Sequence, residues 1–360
     1  MTRVHVSRPL LLGVLAILAA CGSDTTSGPK TPTFLRGTSS NPQIGIVVNS
    51  TGRALTLFQL GSPTTQRTIA LGSSSAITPV GISIRGHLAA VPLGDASSVA
   101  LVDFDAMSIA RFFLFASGNA TGQAFVDDTT ILAANTSNNY VGRFTTTQSS
   151  DSITQMVTVA PAPTDIEVTG GRAFVISANL DVNSSPLGNG IVTAINPQTL
   201  AVIDTVSTSG TNSSAGAIGP DGNLYVLNTG DYSTPGTMDI INPTTLAIIK
   251  TISNAGVGPG AIQFDSTAGL AFISGFFFGT LVYNVASQTF VPATAVCVLA
   301  SGSCVGAFDA RADASGNLYQ VFFGTTSLSP YVYVFKASTY ALQDSIPAGQ
   351  GPTALRIATF

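Results

Sequence analysis

Gly219-Pro220-Asp221-Gly222-Asn223-Leu224-Tyr225-Val226-Leu227-Asn228 is followed, after a polar loop, by Gly236-Thr237-Met238-Asp239-Ile240-Ile241-Asn242-Pro243-Thr244-Thr245-Leu246. Both stretches alternate turn residues with short apolar runs, the pattern of antiparallel strands joined by tight turns. Weaker copies recur. One is Asp265 to Ile273 with Leu281 to Thr289; others are Ile191 to Leu200 and Tyr331 to Thr339. Each unit holds four short strands. The residues that open the units are Pro79, Thr121, Pro163, Ala215, Pro259, Ala307 and Pro352. They are spaced by about 42 to about 52 residues, the range of a propeller blade. A β-helix has shorter coils, and a sandwich does not repeat.

The two ends of the array complement each other. The last unit stops after Pro352-Thr353-Ala354-Leu355-Arg356-Ile357, a single strand. The first supplies Ile44 to Val48, Leu55 to Phe58 and Thr68 to Leu71, three strands without an innermost partner. Pairing the C-terminal strand with these three removes the open edge. The expected fold is therefore all-β: a seven-bladed β-propeller of four-stranded antiparallel blades, occupying residues 41–360.

Composition agrees. Charged residues are 9% of the chain, too few for a long-helix protein, and glycine and β-branched residues abound. The formal charge is −4 and no basic run occurs, which argues against nucleic acid as a partner. His5 and His87 are the only histidines, so no multi-histidine zinc site exists and only His87 is open to a mature Ser-His-Asp triad. His87 follows Arg85-Gly86 and reads as a solvated turn residue. No P-loop, dinucleotide fingerprint or nucleophile elbow is present, and no cofactor or metal is expected.

The Asp-Gly-Asn-Leu-Tyr-Val and Asn-Pro-Thr-Thr-Leu elements resemble the YVTN-repeat β-propeller family over nearly all of the chain beyond residue 40. The best copy lies within residues 216–252; the first blade and Asp127-Asp128-Thr129-Thr130 depart from it. The resemblance implies a fold, and often export, rather than one activity. The absence of tryptophan sets the chain apart from Trp-Asp repeats and tryptophan-docking quinoprotein blades.

The N-terminus carries an address. Arg3 and Arg8 precede the apolar run Leu10 to Ala20, too short to span a bilayer but suited to an export signal. Ala19-Ala20-Cys21 resembles a bacterial lipobox, which implies acylation of Cys21 and attachment to a membrane. Residues 1–20 are then a signal peptide, and residues 21–40, rich in Ser, Thr, Gly and Pro, a flexible spacer. Gly22 is not the aspartate associated with inner-membrane retention, so the expected location is the outer membrane of a bacterial envelope. Export also makes a disulfide between Cys297 and Cys304 the expected state of that short loop.

Two constellations are candidates for function. In alternating strand directions, the short A–B and C–D turns share one face and the longer B–C and D–A loops share the other. On the long-loop face, Phe276-Phe277-Phe278 cannot all point inward from a strand, and with Tyr232 they form either an apolar contact patch or local loop packing. Asp181 and Asp231, also in long loops, are calcium ligands or solvated loop residues. The second constellation lines the channel. Four residues after the openers come Ser83, Glu167, Gln263, Arg311 and Arg356; two after come Gly81, Asp165, Ala261, Asp309 and Ala354. Asp165, Glu167, Asp309, Arg311 and Arg356 thus face either a ligand pocket or one another as inter-blade ion pairs. The expected role is a non-catalytic platform that binds a protein, glycan or small ligand. The alternative is a lactonase-type hydrolase using the channel carboxylates.

Overall fold

The computed structural model describes residues 31–265, 267–291, 295–326 and 328–360. Cys21 and the expected signal peptide lie outside them. Seven four-stranded antiparallel sheets stand around a central channel, with an extra two-stranded hairpin between the sixth and seventh. Blades are numbered from the N-terminus. Their innermost strands are Pro352–Ala358 (blade 1), Ser83–Arg85, Ala120–Phe125, Pro163–Thr169, Ser213–Ile218, Pro259–Asp265 and Asp309–Ala312 (blade 7). Blade 1 is the composite one: Pro352–Ala358 pairs with Ile44–Asn49, matching Ile46 with Arg356 and Val47 with Leu355.

The low charge follows from this geometry. A blade's middle strands touch a neighbouring blade on both faces, so they read as continuous apolar runs rather than alternating ones. Ile44–Asn49 and Thr130–Asn135 are buried at every position, whereas Leu342–Pro347, an outermost strand, is exposed at all but one. The core is correspondingly divided. Seven apolar clusters occur among the described residues, each shared by two adjacent blades, from Ile46 with Val91 between blades 1 and 2 to Phe58 with Val321 between blades 7 and 1.

The recurrent turn motifs have a local cause. Asn242 Oδ1 accepts the N–H groups of Thr244 and Thr245 at 2.8 and 3.0 Å, and Asn196 does the same for Gln198 and Thr199. The turn closes with Leu246 or Leu200 in the left-handed region, at φ 55° and 61°. Asp221 plays the parallel role in the A–B turn, accepting Asn223 N–H at 3.2 Å and the Tyr225 hydroxyl at 2.9 Å. Asp313 repeats this with Asn317 and Tyr319.

Three expectations need correction. Packed structure starts before residue 41: Thr33–Arg36 forms a 3-10 turn whose Leu35 is fully buried, and Gln59 Nε2 donates to Phe34 O at 2.8 Å. Phe34-Leu35 supplies enough apolar surface to dock, so a spacer through residue 40 is too long at that end. Two units open at different residues from those read in the sequence. Ala120 pairs with Asn135 and Ser213 with Asn228, as Pro163 pairs with Ser177, so the structural openers are Ala120 and Ser213. His87 is not a free turn residue: its Nδ1 lies 2.8 Å from Asp105 Oδ1, and its ring packs 5.5 Å from that of Phe360. The Cys297–Cys304 disulfide is formed, with Cα atoms 5.5 Å apart, across the Leu299–Ala300 and Ser303–Cys304 hairpin.

Candidate functional site

The innermost strands run from the long-loop face to the short-turn face, and two cavities occupy the channel between them. The larger, of about 610 Å³, is lined by Ser83, Glu167 and Arg311 and reaches Gly86 and Thr359, at the short-turn end. The smaller, of about 220 Å³, is lined by Asp309, Phe308 and Thr353 and lies toward the long-loop face. Gln123, Asp165, Gln263 and Arg356 border both and form the waist between them. The roomier cavity is thus on the face opposite the long loops.

Backbone register explains why these side chains meet. Glu167 pairs with Phe174, Gln263 with Phe272, Arg311 with Tyr319 and Arg356 with Ile46, equivalent rungs of four blades. Blade 4 carries the acidic pole, Asp165 and Glu167. Blades 7 and 1, on the other side of the sevenfold ring, carry Arg311 and Arg356.

Not all five charges are free. Asp165 Oδ1 accepts the N–H of Ile166 at 2.9 Å and its Oδ2 that of Gly216, in the next blade, at 3.0 Å. Asp309 repeats the device, accepting Ala310 N–H and, from the next blade, Leu355 N–H, each at 2.9 Å. An aspartate two residues past the opener therefore ties neighbouring blades together. Asp309 also holds Arg356, at 3.3 Å, and Arg311, at 3.9 Å. Arg311 Nε donates to Leu355 O at 3.0 Å and its Nη1 to Gln263 Oε1. Structural pairing thus accounts for Asp309 and much of Asp165.

Glu167 is different. Among the described residues it makes no hydrogen bond and no ion pair within 4.0 Å. Burial pushes its carboxyl up to about 8, with the Asp165 charge adding to the rise and Arg356 and Arg311 opposing it. Burial likewise raises Asp165 to about 6, against the hydrogen bonds from Gly216 and Ile166. Arg311 is drawn down to about 9, by burial first and then by Arg356. Its Nη2 is buried without a hydrogen-bond acceptor, an unmet donor in the channel wall.

The aromatic residues sit apart, beside the smaller cavity. Phe276 and Phe277 are exposed at 36% and 59%, Tyr232 at 48%, while Phe278 packs into the core between blades 5 and 6. Asp181 and Asp231 are taken up by their own loops. Asp181 Oδ1 accepts Asn183 and Ser185 N–H, and Asp231 Oδ1 accepts Ser233 and Thr234 N–H, which holds the Asp231 carboxyl well below the usual carboxylate range. No group of three His, Cys, Asp or Glu side chains converges as a metal site among the described residues.

Two channel residues escaped the sequence reading. Gln123 stands two residues after Thr121, and a register shift separates it from Ala120, the structural opener. With its amide oriented to satisfy both ends, its oxygen accepts Ile82 and Ser83 N–H at 3.0 and 3.1 Å. Phe308 was hidden because it follows Ala307, an undistinctive opener; a phenylalanine where four of the other six units carry Thr or Ser was the available signal.

No protein-family model matches the sequence, and no curated protein matches it either. Solved structures do match in shape. Hydrazine synthase of Kuenenia stuttgartiensis superposes with a TM-score of 0.66 at 13% identity, over 78% of this chain and 90% of that one. A functionally unknown protein from Desulfotomaculum acetoxidans DSM 771 gives 0.66 at 12%, over 87% and 98%. At such identities the likeness is one of fold, and the chain is a seven-bladed β-propeller.

Proposed function

We propose that the protein is a non-catalytic binding platform whose central channel takes a small acidic, polar ligand. One observation carries this reading: Glu167 and the Arg311–Arg356 pair stand on opposite sides of an open cavity with no ion pair between them. A ligand carboxylate satisfies the guanidinium pole through charge-assisted hydrogen bonds, and a ligand hydroxyl satisfies Glu167. Titration calorimetry with gluconate, glucuronate, malate and citrate tests it. At least one should bind with a dissociation constant below about 1 mM. Arg356→Gln should weaken that binding by about 10- to 100-fold, the worth of one charged hydrogen bond. Absence of binding across the set, or an unaffected R356Q variant, excludes the channel site.

A hydrolase of lactonase type is the second reading. It is favoured by the displacement of Asp165 and Glu167 to different pKa values, about 6 and about 8, in one cavity, as general acid–base pairs require. Turnover across a lactone and ester panel that disappears in Glu167→Gln would select it.

We also propose that the chain is a YVTN-repeat protein tethered through an acylated Cys21 to a bacterial envelope membrane, the outer one by the residue at position 22. The repeat motifs and the Ala19-Ala20-Cys21 sequence support this. Cys21→Ser should move the protein from the membrane to the soluble fraction with its unfolding midpoint unchanged; a folded variant that still sediments with membranes excludes the anchor.

A further inference from the structure

The residue after each opener carries a hydroxyl in four blades. Thr121, Thr164, Ser214 and Thr353 donate to the opening carbonyls of the following blades: Pro163, Ser213, Pro259 and Pro79, at 3.1 to 3.3 Å. These hydroxyls staple the mouth of the channel on the long-loop face. Blade 2 has Val80 in that place. Blades 6 and 7 have Gly260 and Phe308, and in that sector aromatic rings replace the staples. Tyr232 lies 6.1 Å from Phe276, Phe276 4.9 Å from Phe308, and Phe308 4.9 Å from Phe323, centroid to centroid. The row runs from solvent to the smaller channel cavity, which Phe308 lines.

Glycines make the bed for it. A Cβ on Gly258, whose φ is +68°, would lie 3.1 Å from the Tyr232 ring and 3.3 Å from that of Phe277. One on Gly260 would lie 3.2 Å from the Phe276 ring. The bare Gly258-Pro259-Gly260 backbone lets three partly exposed rings lie close against the strand. Rings packed only for stability do not need to remain open to solvent.

We propose that this aromatic floor and the adjoining cavity form a saccharide-binding subsite, separate from the acidic-ligand site at the other end of the channel. The rings offer flat apolar faces to the C–H side of a sugar. The cavity beside them offers hydroxyl oxygens with remaining acceptor capacity, on Ser214 and Thr353, and the Gln263 amide. Its charges are already matched, Asp309 to Arg356 and Asp165 to backbone N–H groups. A cation there meets Arg356 and an anion meets two carboxylates, which leaves a neutral polyhydroxyl ligand as the best fit.

Calorimetric titration of the whole protein with cellotetraose, maltotetraose, mannotetraose and chitotetraose tests this. At least one should bind with a dissociation constant below about 1 mM. Tyr232→Ala and Phe277→Ala should each weaken binding by about three- to tenfold, the range for one aromatic contact, while Phe277→Trp preserves it. These side chains are exposed, so unfolding midpoints should stay at the parent value and separate lost binding from lost fold. The proposal is overturned if none of the four binds, or if binding is indifferent to both alanine variants. It is equally overturned if Phe277→Ala instead abolishes a concentration-dependent self-association, because the rings then belong to an interface between copies.

Discussion

Removal of residues 352–360 should abolish cooperative unfolding at the parent temperature, with a fall in midpoint of more than about 10 °C and conversion of monomer to aggregate. The deleted segment is the innermost strand of blade 1. Without it, Ile44–Asn49, buried at every position, becomes an open apolar edge, ready to pair with another chain. Leu355 leaves the cluster between blades 7 and 1, and Ala354 leaves that between blades 1 and 2. Asp309 loses both the Leu355 N–H and Arg356, leaving a buried carboxylate with an incomplete shell. Leu355→Asp is the single-residue version; a charge placed at a fully buried position in that strand should cost on the order of 4 kcal/mol. Thermal unfolding with size-exclusion chromatography reads both variants. A truncated monomer that melts like the parent would show that ring closure contributes no stability.

Glu167→Gln should stabilise the fold and do so increasingly with pH. The carboxyl titrates near 4.5 in an unfolded chain and at about 8 in the folded one. Below pH ~4.5 both states are protonated and the group has no effect. Between ~4.5 and ~8 the unfolded chain releases a proton that the folded chain keeps, so stability falls as pH rises; above ~8 the loss is complete. Asp165 contributes a slope of the same sign between 3.8 and about 6, common to both proteins. The difference between parent and variant therefore isolates Glu167. Replacing a poorly compensated channel charge with its neutral isostere should gain about 2 kcal/mol at pH 9, or about 3 °C in midpoint, and almost nothing at pH 4. Denaturant titrations at the two pH values measure it. A variant equally or less stable at pH 9 would mean that Glu167 is paired after all.

The repeat was legible because its signals are local. Asn-Pro-Thr-Thr-Leu specifies a turn by its own side-chain geometry, so a copy such as Asn242 to Leu246 reveals a strand end wherever it stands. Closure was legible because a lone strand and a trio lacking one are complementary counts. The channel was legible only in part. Counting from an opener located Glu167, Gln263 and Arg356, whose strands keep the same bulge, and Arg311 at the matching register. It missed Gln123 and shifted two openers, because a bulge is a register event with no residue signature of its own. Sequence could place Asp165 and Glu167 on one wall but not assign their duties. Asp165 is taken by a backbone N–H 51 residues away in the chain, and Glu167 by nothing among the described residues. The expectation that function would gather on the long-loop face rested on loop length and on Phe276-Phe277-Phe278 with Tyr232. The larger cavity lies at the other end, toward Gly86 and Thr359.

Pairing of the last strand with the first blade also sets a clock. Thr353 Oγ1 reaches Val48 O across 305 residues of chain. At about 5–20 residues per second, a ribosome needs roughly 15–60 s to make that interval. Throughout it, the inner edge of Ile44–Asn49 is already synthesised and has no partner. Six blades can assemble in order as they emerge, but the ring cannot become one until residues 352–358 have been made. The first blade is thus the first made and the last finished, and nascent chains should be most vulnerable to strand capture and proteolysis there, at the seam.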